Sequence, residues 1–263
     1  MQTNERRTSG GKSGSIATTK IDTMTFDVTI PVLNEAPTLE IQVRKLYAFL
    51  RKQFPDARQW RIVIADNGST DGTLPIAQRL AEELPEVVSL TVPRKGVGLA
   101  LKHAWEHSEA DFVGYMDLDL ATDLNHFLQA YQALASGRYD LVYGTRLHAN
   151  SVVIGRTLKR EITSRVFNAM LRLYLGIRFS DGMCGFKWLR RDLVPSLRNG
   201  GAVSDGWFFS TELLSVAEWK GYRMLELPVR WTDDISSSRV RILPLARQYV
   251  RAMKVLKAKK SIR

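Results

Sequence analysis

From Phe26 onward the sequence alternates regularly between short runs rich in β-branched and aromatic residues and longer segments of helical period. FDVTIPV is followed by TLEIQVRKLYAFLRKQF, WRIVIAD by TLPIAQRLAEEL, VVSLTV by VGLALKHAWEHSEA, DFVGYMDLD by DLNHFLQAYQALAS, and then comes DLVYGT. A strand that returns through a helix pairs in parallel with its predecessor, and the helices then cover both faces of the sheet. The alternation predicts an α/β chain whose first half is Rossmann-like and mostly parallel. Further on, residues 155–176 and 207–221 read as helices stopped at Gly176 and Gly221, and RMLELPVRW, 223–231, as a late strand.

In an open sheet of this kind ligands bind outside the carboxyl ends of the strands. The residues that follow the predicted strands are consistent with one another: Asn34-Glu35, then the run from Asp66 to Gly72, then Arg94-Lys95-Gly96, then Asp117-Leu118-Asp119, then Thr145-Arg146. Carboxylates, amides and guanidinium groups thus gather on one edge, which a purely structural sheet would not need. Asp117 and Asp119 are two apart, so in extended backbone they project to the same side. Such a pair suits a hard divalent ion, Mg²⁺ or Mn²⁺, shared with the oxygens of a diphosphate. The same spacing also serves as a strand or helix cap, and Asp123, ahead of LNHFLQAY, reads as an N-cap. DNGSTDGT can equally be an Asx-type turn into a helix.

Composition limits the alternatives. With 263 residues, 44% of them hydrophobic, the chain can bury a core as a single domain, and its net charge of +11 calls for an acidic partner. Nucleic acid, anionic lipid and a phosphorylated substrate all qualify by charge. The single cysteine, Cys184, excludes an internal disulfide framework and a multi-cysteine zinc site, and reads as packed rather than reactive. His103, His107, His126 and His148 show no metal-ligand spacing with it. Residues 1–24 have the composition of a disordered tail; their GGKSG lacks a preceding strand and has Arg6 where a phosphate-binding loop needs its first glycine. No transmembrane helix is expected, because no apolar run approaches about 18 residues, and the N-terminus lacks a signal-peptide core. At the other end, residues 236–263 carry nine Lys or Arg and no Asp or Glu. Leu245, Tyr249, Met253 and Leu256 recur there at about one helical turn. That predicts a basic amphipathic helix over 241–263, which either packs on the domain or lies on an anionic membrane.

The ordered set IPVLNE, DNGSTDGT, KGVGLALKHA, DLD and GTR resembles the family 2 glycosyltransferases, whose nucleotide-sugar-binding domain has the GT-A fold. The resemblance covers about residues 26–240. Through LKREITSRVFN, SDGMCGFKWLRRD, FFSTELL and ELPVRWTDDISSSRV the second half is similar to the polyprenyl-phosphate sugar synthases, with GFK and WFFSTELL closer to the dolichyl-phosphate glucosyltransferase branch. The resemblance implies that Pro31 and Glu35 lie against the nucleotide, that Asp66 meets its base or ribose, and that Lys95 and Gly96 border the same pocket. Asp117 and Asp119 would face the diphosphate and the metal, Asp119 as the more direct ligand. Asp181 and Lys187, flanking Gly182 and Gly185, would shape the sugar and diphosphate end. Ala121 stands where several mannosyl synthases have a metal-holding glutamine, a departure that favours a UDP-sugar over GDP-mannose and leaves phosphate oxygens or water to complete the metal.

On the acceptor side, Arg146 follows a strand while Arg160 and Ser164 share a helical face. Guanidinium donors suit a phosphate monoester, and the resemblance assigns these three positions to a lipid phosphate. Arg160 could instead pair with Glu161, with Arg165 taking its place. A phosphate nucleophile with its second pKa near 6 is already largely ionised and needs no strong base. Glu212 reads either as a base or sugar-hydroxyl ligand or as a helix-surface or buried paired glutamate.

These features predict a metal-dependent inverting glycosyltransferase that takes a nucleotide-diphosphate sugar to a polyprenyl phosphate, peripherally bound at the cytoplasmic face of a membrane. A saccharide-hydroxyl acceptor is the alternative. A nucleic-acid-binding protein is a distant one, because no aromatic and basic platform is present.

Overall fold

The computed structural model describes residues 24–232 and 242–260. Strands β1 (Phe26–Val32), β2 (Trp60–Asp66) and β3 (Val87–Thr91) are joined by helices α1 (Leu39–Gln53) and α2 (Thr73–Glu83). Helix α3 (Val97–Glu106) then leads to β4 (Phe112–Met116), which pairs in parallel with β1 on the side away from β2. Helix α4 (Asn125–Ala135), β5 (Leu141–Thr145), the short β6 (Val152–Ile154) and α5 (Leu158–Leu175) follow. The remaining elements are β7 (Phe186–Arg190), α6 (Val194–Asn199), α7 (Phe209–Trp219), β8 (Met224–Pro228), β9 (Arg230–Thr232) and α8 (Ile242–Lys260).

The main sheet has the order β3-β2-β1-β4-β7-β5-β8. The chain steps outward from β1 through β2 to β3 and then crosses to β4, so the strand order reverses between β1 and β4. The crevice at their carboxyl ends is where an open α/β sheet takes a ligand. Every residue of β1, β4 and β5 is buried, as expected of strands covered on both faces. One core layer contains Leu39, Ala77 and Phe127 from α1, α2 and α4. The other contains Leu101, Leu171, Leu213 and Met253 from α3, α5, α7 and α8.

The mostly parallel α/β sheet is as the sequence predicts, with two departures. First, β7 runs antiparallel between β4 and β5. It is too short and too close to a turn for its direction to be legible. Second, the late strand 223–231 breaks at Val229, whose N–H bonds Thr145 O (3.1 Å) and whose carbonyl accepts from Val152 N (3.1 Å). This turns β9 out of the main sheet to pair with β6. The helix expected over 155–176 begins later, where Thr157 caps it, and ends at Gly176, whose φ of 63° only glycine adopts without strain.

Helix α8 lies against the domain: Tyr249, Met253 and Leu256 are buried, and Tyr249 packs between Phe167 and Phe208, 5.4 Å from each ring. The tail expected over 1–24 lies outside the described residues except for Met24, as do residues 233–240 of the C-terminal motif.

Candidate active site

The chain leaves β4 directly into the Asp117–Asp119 pair. The antiparallel register sets Tyr115 opposite Lys187 and Met116 opposite Phe186, so the residues ahead of β7 lie beside Asp117. Asp117 N–H bonds Gly185 O (3.2 Å), and its carboxylate occupies the space a side chain at Gly185 would need. Asp117 Oδ1 is sealed from solvent with no hydrogen-bond partner. Burial, and then the charge of Asp119, push its pKa up to about 7 against the pull of Arg146 and Lys187. Asp119 is exposed and accepts from Ala121 N (3.0 Å) in a turn that places Leu120 at φ 50°. A left-handed leucine costs about 1–2 kcal/mol, and the loop is held against that cost by Thr232 N to Ala121 O (2.9 Å) and Asp123 N to Arg230 O (3.0 Å). Asp123 caps the start of α4 as expected, accepting from Asn125 N at 2.9 Å.

Behind the aspartates sit two cations, Lys187 buried and Arg146 with its side chain 13% exposed. Arg146, at the end of β5, donates through Nε (2.8 Å) and Nη2 (3.0 Å) to the two oxygens of fully buried Asp181, and stacks 4.9 Å over the Trp231 ring. Burial alone would raise the Asp181 carboxyl, but the Arg146 guanidinium outweighs it and holds the pKa at about 2. The two-toothed donation that the sequence analysis reserved for a lipid phosphate is therefore taken by Asp181. Arg146 acts here as a fixed charge rather than an open clamp. Lys187 Nζ donates to Cys184 O (2.6 Å), and burial lowers its pKa to about 8 against neighbouring negative groups. The Cys184 thiol, pushed up to about 12 by burial, is packed, as expected.

On the donor side, the loops after β1, β2 and β3 are stitched together. Asn67 Nδ2 donates to Val32 O (2.7 Å), Gly96 N to Asn67 Oδ1 (3.1 Å), Thr70 N to Asn34 Oδ1 (2.8 Å) and Glu35 N to Thr73 Oγ1 (2.8 Å). Glu35 is half-buried and Lys95 exposed on this rim. Pro31 is buried within β1 opposite Ala65. Asp66, 2% exposed, accepts from the amides of Gly68 and Ser69, each at 3.3 Å, so its carboxylate organises the loop. The Asx-turn reading of this stretch thus holds together with its place on the rim.

Glu212 is the buried, paired glutamate of its two readings. It accepts from Val203 N (2.8 Å), Ser204 N (2.7 Å) and Ser204 Oγ (2.5 Å), so three of its roughly four lone-pair sites are taken by the 203–204 loop. Burial raises its pKa despite these donors. The loop it anchors carries Asp205, which accepts from Arg94 (2.6 Å) and Lys102 (2.7 Å), and whose carbonyl crowds Gly96. Glu212 therefore supports the wall next to Lys95 and Gly96 from behind.

On the acceptor side, Arg160 is half-buried in the first turn of α5, and Ser164 Oγ accepts from Arg156 Nη2 at 2.5 Å. Arg165 is exposed and pairs with Glu161 (2.5 Å). Buried Asn168 was not singled out by the sequence, yet it links this helix to the cation cluster. Its Nδ2 donates to Ser164 O (2.9 Å), and its Oδ1 accepts from the N–H of Gly182 (2.9 Å), next to Asp181.

One cavity, about 290 Å³, lies beside the aspartate loop and is lined by Lys45, Leu120, Ala121, Asp123 and Arg230. Another, about 380 Å³, is lined by Trp105, Glu106, Arg191 and Arg198. It opens at the opposite edge, where Arg191 N bonds Asp111 O ahead of β4, away from the carboxyl ends. No cluster of three or more acidic, histidine or cysteine ligands exists among the described residues. Two carboxylates, one with an unpartnered buried oxygen, fit a hard cation only if phosphate oxygens or water complete its shell.

Residues 27–198 match the model of the family described as Glycosyl transferase family 2. The chain belongs to that family. Among family relatives, the glycosyltransferase AglD of Haloferax volcanii is 37% identical over 206 residues, 78% of this chain and 32% of that protein. The dolichyl-phosphate beta-glucosyltransferase of Saccharomyces cerevisiae is 26% identical over 231 residues, 79% of this chain and 67% of the relative. A Trichomonas vaginalis dolichyl-phosphate beta-glucosyltransferase is 25% identical over 228 residues, 81% and 65%. The chain thus spans about a third of AglD and about two thirds of the two glucosyltransferases. The resemblance to the dolichyl-phosphate glucosyltransferase branch is borne out. Glucosyl-3-phosphoglycerate synthase of Mycobacterium tuberculosis, solved with UDP, has a TM-score of 0.64 at 21% identity, covering 97% of this chain and 87% of that one. The same protein solved with Mn²⁺, UDP and phosphoglyceric acid gives 0.62 at 20%, covering 90% and 78%. At that identity the likeness establishes the GT-A fold.

Proposed function

We propose that the protein is an inverting glycosyltransferase that moves a sugar from a nucleotide-diphosphate sugar, a UDP-sugar in preference to GDP-mannose, to a polyprenyl phosphate. The observation that carries the reading is the placing of the Asp117–Asp119 pair over the charges of Arg146 and Lys187 at the switch point of a GT-A sheet. The kinship with dolichyl-phosphate glucosyltransferases supports the acceptor, and the UDP-bound neighbour supports the donor.

Asp119 and Asp117 would hold Mg²⁺ or Mn²⁺ with the donor diphosphate; the ion supplies charge neutralisation as the nucleotide departs. Pro31, Glu35, Asp66, Lys95, Gly96 and Lys187 form or back the donor pocket, and Arg160 and Ser164 face the acceptor phosphate with Arg146 as a fixed charge behind. An oxygen of the lipid phosphate forms a bond to the sugar C1 as the bond from C1 to the diphosphate oxygen breaks. Because that nucleophile is ionised at neutral pH, positioning and electrostatics carry the step. A saccharide hydroxyl would need a base, and the candidate base Glu212 is buried and holds three donors of the 203–204 loop. The reaction would take place at the cytoplasmic face of a membrane, to which the protein binds peripherally. No helix among the described residues is long and apolar enough to cross one.

The test is a donor panel incubated with a polyprenyl phosphate and Mn²⁺, with products read by mass. A lipid-linked sugar that disappears in Asp119→Ala is the expected result. No product with any donor, or product formed only on saccharides, overturns the reading.

A further inference from the structure

Helix α5 is apolar on two opposite sides. One side, with Leu171 and Leu175 beside the hydrogen-bonded Asn168, is buried in the domain. On the other side, Leu158, Ile162, Val166, Met170 and Leu173 recur at helical spacing and are 75, 53, 63, 38 and 88% exposed. At 100° per residue they fall within one arc roughly 120° wide, about 22 Å long, set against the buried side. The strand leading into the helix adds Val152 and Ile154, 48 and 41% exposed. Scattered single apolar residues on a surface need no explanation, but a continuous stripe does. Seven of the thirteen exposed large hydrophobics among the described residues lie between 152 and 173.

We infer that this outer face of α5 seats the protein on an anionic lipid bilayer. The charges around it choose the occupant. Lys159 lies within the stripe, Arg165 and Arg172 are exposed along its border, and Glu161 is the only acidic residue of the helix. Along the neighbouring flank, Lys257 of α8 stacks 4.2 Å over the Tyr174 ring and brings a further positive charge beside the stripe. Apolar side chains bordered by lysine and arginine are the arrangement of a helix lying in a membrane interface. Of the two readings of the C-terminal helix, packing on the domain takes its apolar side, so α8 contributes charge and α5 contributes insertion.

The inference rests on the proposed reaction only for its purpose. With the stripe on lipid, Arg160 and Ser164, on the inward side of the same helix, would stand between the bilayer and Asp181–Arg146. The test is flotation of the full chain with vesicles of phosphatidylcholine alone or mixed with phosphatidylglycerol. Wild type is expected to bind the mixed vesicles and to be released by salt. Leu158→Asp with Leu173→Asp should bind about tenfold more weakly or worse, with an unchanged melting temperature. It should also keep its activity on a short, water-soluble prenyl phosphate. Failure of the reaction alone would leave the loss of vesicle binding intact. Wild type that ignores vesicles, a variant that binds them equally well, or a variant that only turns a dimer into a monomer would overturn the inference.

Discussion

The carboxylate of Asp117 rests directly on the Cα of Gly185: a β-carbon there would lie 1.9 Å from Oδ2 and 2.2 Å from Cγ. No side chain fits that gap without moving Asp117. Gly185→Ala should therefore fold, with a cost of about 1–3 kcal/mol for overpacking. It should also lose transfer activity by about 100-fold, since displacing a reacting group by about 1 Å costs that much. Paired thermal melts and transfer assays check both effects; full activity would show that Asp117 is not used where it sits.

In the Arg146–Asp181 pair Asp181 is fully buried and the Arg146 side chain only 13% exposed, so removing one partner strands a charge. Asp181→Asn should destabilise the fold by about 3–5 kcal/mol at neutral pH. With an unfolded pKa near 3.8 and a folded one of about 2, Asp181 gives stability that is complete above 3.8 and lost as pH falls through 2. Denaturant titrations of wild type and variant should therefore converge by about 2 kcal/mol on acidification through that window.

Lys187 behaves in the opposite sense. Its folded pKa of about 8 lies below the ordinary 10.5, so between these values the unfolded chain binds the extra proton and stability rises with pH. Relative to Lys187→Met, wild type should gain up to about 3 kcal/mol from pH 8 to 10.5. Because Cys184 titrates in the opposite sense and interacts with the Lys187 charge, the comparison is made in a Cys184→Ala background. A gap that stays constant with pH would mean that the ammonium is not desolvated.

Glu212→Gln separates a loop anchor from a base. Loss of a general base costs about 10²–10⁴ in rate. The anchor role predicts turnover within about tenfold of wild type and a stability loss of about 1–3 kcal/mol from weakened hydrogen bonds. Rate and melting temperature measured on one preparation distinguish them.

The alternation of strand and helix, the carboxylates at the strand ends, the cap at Asp123 and the family itself were legible in the sequence. Each depends on local period or on neighbours a few residues apart. The i, i+2 spacing predicts a shared side for Asp117 and Asp119 in extended backbone, but the chain turns at Leu118–Asp119, with Leu120 N bonded to Asp117 O (3.2 Å). The turn rather than a strand therefore sets the pair, with Asp117 Oδ1 sealed and Asp119 exposed. The sequence could not tell that Arg146 spends its fork on Asp181, 35 residues away, or that Glu212 grips Val203 and Ser204 across a loop. Nor could it show that β7 enters the sheet antiparallel and so delivers Gly185 and Lys187 to the aspartates. Helical period identified the apolar stripe of α8, but only packing decided that this stripe was buried while a second one, on α5, stayed outside. Partner choice and burial depend on which distant segments meet, and that is fixed by the close packing of the whole core rather than by any stretch of chain within it.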